Sequence, residues 1–256
     1  MVRYIPADPT GNITVLVESP LSPEKRAETA AAIMAAEPGA EQLGFICPPT
    51  KGADIGLFMA GGEFCGNACL SAAAWCLGQS PKKEGRLLVD ISGADKPISV
   101  EMRKEAEDLY SGFVDMPLPL GISSVDGFTL VNFPGISHLI LPHSLSPAEA
   151  ENMIAPLCRR LGAEALGLML FDPDTCTLRP LVYVPGAGSL FWEHSCASGT
   201  AAVGAAMALE KGKSVCLELK QPGGSLSIEA YWEAGCVCTL RLGGRVRLLT
   251  EKIIEI

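Results

Sequence analysis

The second half of this chain repeats the first. "GNIT" at 11–14 is matched by "GISH" at 135–138, and "LSPEKRAE" at 21–28 by "LSPAEAEN" at 145–152, both 124 residues apart. "FCGNACLSAAAWCL" from Phe64 finds "SCASGTAAVGAAMAL" from Ser195 at a spacing of 131, and "ISVEM" at 98–102 finds "LSIEA" at 226–230 at a spacing of 128. Four matches in one order at nearly constant spacing imply two copies of one folding unit.

Each copy reads alike. A β-branched stretch such as Ile13 to Val17 leads to Ser-Pro, where Ser22 or Ser146 can cap a helix and Pro23 or Pro147 fits its first turn. Ser146 with Glu149 also has the spacing of a capping box. Strand-like "QLGFICPP" and "LGLMLFD" precede the two cysteine motifs, and "RLLVDIS" and "SVCLELKQ" follow them. Between them lie helices expected over Ala68 to Leu77 and Thr200 to Leu209, apolar on nearly every face and therefore suited to burial among strands. The expectation is an α+β protein of two pseudosymmetric lobes, 1–120 with Cys65 and 121–256 with Cys196.

Charge and composition narrow the function. The 256 residues carry 20 Lys+Arg against 29 Asp+Glu, a formal net charge of −9, with no basic block to meet a phosphate backbone. A nucleic-acid partner is not expected. No stretch approaches the ~20 apolar residues of a membrane helix and the start does not read as a signal peptide, so a cytoplasmic protein is expected. The ten cysteines form no CxxC pair and there are only three histidines, so no metal site is expected. Most of those thiols read as small buried hydrophobes.

Cys65 and Cys196 differ from the rest. Each stands where the chain enters a helix of small residues, Gly-Asn-Ala after the first and Ala-Ser-Gly-Thr after the second. Unpaired N–H groups at a helix start stabilise an anion by about 0.3 to 2 kcal/mol. The anion could be a thiolate, whose unperturbed pKa is about 8.5, or a substrate carboxylate. One such thiol suggests a nucleophile, whereas two related by an internal repeat suggest proton removal on one face of a carbon and return on the other. A free α-amino acid suits that chemistry, because the same N–H groups would hold the charge that builds on its carboxylate. No cofactor is formally required. No pyridoxal lysine is identifiable, and no Gly-rich loop has GK[ST] or GxGxxG spacing.

"EFCGN", "SCASGT" and "PTGNIT" resemble the diaminopimelate epimerase family of cofactor-independent amino-acid racemases and epimerases. Within it, "DPTGNITVLV", "GGEFCGNA", "LFWEHSCASGTAAVG" and "QPGGS" are most similar to the histidine racemases of opine metallophore biosynthesis. The resemblance implies lobes built as β-barrel-like sheets around a central helix. It makes Cys65 and Cys196 the acid/base pair, places Asn12, Gln42 and Asn67 near the substrate, and makes Gly66, Ser198, Gly199 and Thr200 a cradle for the carboxylate. His138 matches the histidine of the family's Gly-Asn-Pro-His stretch and would assist a cysteine. Glu63 and Glu193 are supporting candidates; Glu193, like His194, fits a solvated position better, and His143 fits a surface loop.

Ile136 replaces the asparagine of that family stretch. Gly186, Ala187 and Gly188 stand where diaminopimelate epimerase has the Glu-Arg pair holding the distal end of its substrate. A charged tail without partners there would cost several kcal/mol, which argues against diaminopimelate. Histidine fits best, although histidine racemases carry Glu at the position of Gly186. Phenazine-type isomerases lack a second cysteine, and proline racemases follow Cys-Gly with His or Thr. Two readings from other classes are a non-catalytic amino-acid binder and a redox sensor with a disulfide between the two thiols. The apolar faces of both halves are compatible with a homodimer without requiring one.

Overall fold

A helix built from alanine, glycine and serine presents so little side chain that sheet backbone can approach it on every side. The computed structural model, which describes residues 1–50 and 52–256, places two such helices, each among the strands of its own compact unit. One unit comprises Met1–Asp115 with Gly243–Ile256, the other Met116–Leu242.

The first unit runs β1 (Val2–Pro9), β2 (Thr14–Val17), α1 (Pro23–Ala36), β3 (Gln42–Cys47), β4 (Ile55–Met59), α2 (Gly66–Gly78), β5 (Glu84–Ile91), β6 (Ile98–Lys104) and β7 (Leu109–Asp115). The second runs β8 (Gly121–Val125), β9 (Phe128–Phe133), β10 (Ile136–Pro142), α3 (Pro147–Leu161), β11 (Leu166–Asp172), β12 (Thr177–Val184), β13 (Ser189–Trp192), α4 (Ala197–Lys211), β14 (Val215–Gln221) and β15 (Gly224–Glu233). The last strands are β16 (Cys236–Leu248) and β17 (Lys252–Ile254).

Strand pairing makes the repeat explicit. In the first unit β1 to β2 is antiparallel, β2 to β3 parallel, β3 to β4 antiparallel, β4 to β5 parallel and β5 to β6 antiparallel. The same alternation follows in the second unit through β9, β10, β11, β12, β14 and β15. Parallel pairs need a crossover, and α1, α2, α3 and α4 supply one each. The end of β16 pairs with β1, and β16 also pairs with β7, which closes β1 to β7 and β16 into an eight-stranded ring with α2 against its strands. The segment 121–256 is therefore not one unit: from Gly243 the chain belongs to the first, where β17 also pairs with β1.

Burial follows composition. Ala68, Ala72, Ala73 and Ala74 of α2 and Ala201, Ala202, Val203 and Ala205 of α4 are inaccessible to solvent. Approach is close enough that a Cβ on Gly204 would lie 2.6 Å from Ile228 Cγ1. The outer helices are amphipathic: α3 turns Ala150, Ile154, Leu157 and Cys158 onto Leu139, Leu166, Leu168 and Leu181. No helix among the described residues is long and apolar enough to cross a membrane.

Candidate active site

Both cysteines are N-cap residues, so the buried helices begin two to three positions earlier than their composition suggests. Cys65, at φ −139° and ψ 115°, caps α2, and its sulfur accepts the Ala68 N–H at 3.3 Å. Cys196, at φ −115° and ψ 110°, caps α4, and its sulfur accepts the Gly199 N–H at 3.3 Å. Each thiol thus occupies the position usually held by a Ser or Asp cap, against the positive end of a helix dipole.

Around Cys65 the first unit gathers most of its expected residues. The thiol donates to the Gln42 carbonyl at the start of β3. Asn12 is fully buried in the turn before β2 and donates Nδ2–H to the Glu41 carboxylate at 2.7 Å; Gln42 follows directly and pairs with Thr14. Gly66 and Asn67 form the first helical turn and are buried. Glu63 is exposed, with its carboxylate beside Gly61.

The second unit surrounds Cys196 with ionisable and hydroxyl groups. Burial pushes the Cys196 thiol well above its ordinary value, and the Glu193 carboxylate raises it further by its charge and by a hydrogen bond from the thiol. Glu193 is buried, unlike the solvated position its sequence context favours, while His194 beside it is exposed. His138, midway along β10, is completely buried, and burial pushes its pKa down to about 3, so the ring is neutral. Its Nε2 lies 2.9 Å from Ser198 Oγ, which lies 3.6 Å from Cys196 Sγ. Nδ1 has no partner and faces Gly167, where a Cβ would sit only 2.2 Å away. A buried lone pair without a partner costs less than a buried N–H without one, so the proton is assigned to Nε2. His138 then donates to Ser198, and the Ser198 hydroxyl is left to donate to the Cys196 sulfur.

Gly199 and Thr200 complete the first turn of α4, both buried. Gly186, Ala187 and Gly188 form an exposed turn without a charged side chain. His143 lies half-buried in the turn after β10. Two residues at these sites escape a reading of the sequence: Glu41, which carries no motif, and Gln221, which stands in the "QPGGS" stretch and whose signal was that stretch alone. Among the described residues, no three His, Cys, Asp or Glu side chains are grouped to hold a metal ion.

Comparison with known proteins gives this arrangement a family. Residues 1–254 match the model of the histidine racemase CntK N-terminal domain. A histidine racemase of Fusobacterium nucleatum subsp. nucleatum is 33% identical over 217 residues, 80% of each chain. One from Staphylococcus aureus is 28% identical over 246 residues, 89% of this chain and 88% of the other. The fold is similar to a predicted epimerase of Pseudomonas aeruginosa, with a TM-score of 0.73, 16% identity and 99% of both chains covered. It is also similar to a hydroxyproline epimerase of Agrobacterium vitis, with a TM-score of 0.69, 12% identity, and 98% of this chain and 91% of that one covered. Matched over nearly its whole length, the chain belongs to the histidine racemase CntK family and is an amino-acid racemase.

Proposed function

We propose that the chain inverts the α-carbon of free histidine in the cytoplasm, with Cys65 and Cys196 as the two acid/base groups and no cofactor. The two units would be the two lobes of a diaminopimelate epimerase-like fold. One observation carries the reading: in two copies of one unit, a cysteine caps a buried helix at the equivalent place and accepts a helix N–H on its sulfur. One sulfur, as thiolate, takes the α-hydrogen as a proton. The electron pair left on carbon delocalises into the carboxylate, and the opposite thiol delivers a proton to the other face. The first-turn N–H groups of Gly66, Asn67 and Ser198 are the donors for the carboxylate charge, those of Gly199 and Thr200 being given to the Cys196 sulfur and carbonyl.

Histidine as substrate is supported by the names of the curated relatives. The uncharged turn at 186–188 favours a substrate without a second amino-carboxylate end. The test is incubation of reduced protein in D₂O with each common amino acid and with diaminopimelate, reading α-deuteration and chirality. Exchange with inversion of histidine is expected. Inversion of a different amino acid would displace histidine, and exchange with none would remove the racemase mechanism itself.

A further inference from the structure

Gln221, the last residue of β14, is 8% exposed and joins a ring of hydrogen bonds around Cys196. Its Oε1 accepts the Cys196 N–H at 2.9 Å, and its Nε2 donates to Thr200 Oγ1 at 2.9 Å. Thr200 Oγ1 in turn donates to the Cys196 carbonyl at 2.7 Å. Both peptide groups of the cysteine are thereby tied, directly or through Thr200, to one carboxamide. One residue pair on, the Gly223 N–H donates to the His194 carbonyl at 2.8 Å, so the turn leaving β14 also supports the approach to the cysteine.

The first unit does the same job with different groups. In the turn leaving β5, Ser92 Oγ donates to the Glu63 carbonyl at 3.2 Å and accepts the Met59 N–H at 2.9 Å. The support there reaches the segment before Cys65.

We infer that Gln221 is a positioning residue for Cys196: with Thr200 it fixes the backbone of the N-cap, and with it the direction of the sulfur. An N-cap has non-helical φ and ψ, so it lacks the hydrogen-bond ladder that holds the next residue, and its orientation must come from elsewhere. A serine or aspartate cap tolerates a small drift. A proton-transfer group does not, since misplacement by about 1 Å can cost ~100-fold in rate. Glutamine is suited to the place because one planar group offers an acceptor to an N–H and a donor to a hydroxyl.

The inference rests on Cys196 being one of the two acid/base groups. Its test uses Gln221→Leu, which removes both bonds, and Gln221→Glu, which keeps an acceptor for the Cys196 N–H. Inversion by Gln221→Leu is expected to fall at least tenfold in kcat, with KM changed less than threefold. Because the equilibrium between enantiomers is fixed, inversion falls in both directions alike, and the informative readout is α-deuteration of each enantiomer separately. The enantiomer deprotonated by Cys65 should exchange without inverting, while the one deprotonated by Cys196 should lose exchange and inversion together. Gln221→Glu should recover part of kcat, and its pH–rate profile should move upward because a carboxylate now lies against the peptide N–H of the same cysteine. Equal loss of exchange from both enantiomers would mean a general structural role, and an unchanged kcat would mean none; either overturns the inference. If Gln221→Leu does not fold, Gln221→Glu decides: no upward shift of its profile also overturns it. Cys196→Ala separates the two levels. Racemisation surviving in that variant defeats the two-thiol reading, whereas its loss beside a normal Gln221→Leu defeats only this inference.

Discussion

Cys65 and Cys196 occupy matching caps in unlike surroundings. Cys65 donates to a neutral carboxamide, while Cys196 is hydrogen-bonded to a carboxylate and backed by Ser198 and His138. Replacing either cysteine by serine should lower racemisation by at least a thousandfold while leaving the circular dichroism spectrum unchanged, because the hydroxyl is a good cap and a poor base at neutral pH. Retention of near-normal turnover by either variant would end the two-thiol reading. Glu193 raises the Cys196 thiol's pKa, so Glu193→Gln should lower it. Alkylation of Cys196 by iodoacetamide, followed by peptide mass spectrometry, should then reach half-maximal rate at lower pH than in the parent protein. An unchanged or higher midpoint would show that Glu193 does not govern that thiol.

At the scale of elements, equal sequence does not guarantee an equal cap. Both outer helices begin Leu-Ser-Pro, yet only Ser146 makes the capping box, accepting the Glu149 N–H at 3.3 Å while Glu149 reaches back to the Ser146 N–H at 3.0 Å. Ser22 makes no side-chain cap: Glu24 takes its hydroxyl, and the third helical position holds Lys25. Ser146→Ala is expected to cost about 1 kcal/mol, and Ser22→Ala clearly less. Urea unfolding of the two variants checks this, and equal losses would contradict it. The capping box was readable because its partners are three residues apart. Cysteine as a cap was not, since composition starts the helices at Ala68 and Thr200, whereas α2 and α4 start on the glycine or alanine after each thiol.

In the whole molecule, the buried imidazole of His138 ties stability to pH. Its folded pKa of about 3 lies below the ordinary 6.5, so on acidification the unfolded chain binds a proton that the folded protein refuses. The stability this group contributes is complete above pH ~6.5 and is lost as pH falls toward 3, at up to ~1.4 kcal/mol per pH unit. His138→Gln should therefore show a shallower loss of unfolding free energy between pH 6.5 and 4 than the parent. Parallel curves for the two proteins would refute the assignment of a neutral, buried ring. The sequence by itself determined the repeat, the small-residue helices and the two thiols at their starts, because those depend on neighbours a few residues apart or on internal similarity. Only the tertiary structure decided that Gly243–Ile256 return to the first unit, that Glu193 is buried on Cys196, and that Gln221 holds that cysteine's peptide. Each of these joins elements through closure of a sheet or the shape of a buried corner. Such contacts pair groups distant along the chain, and no local periodicity records them.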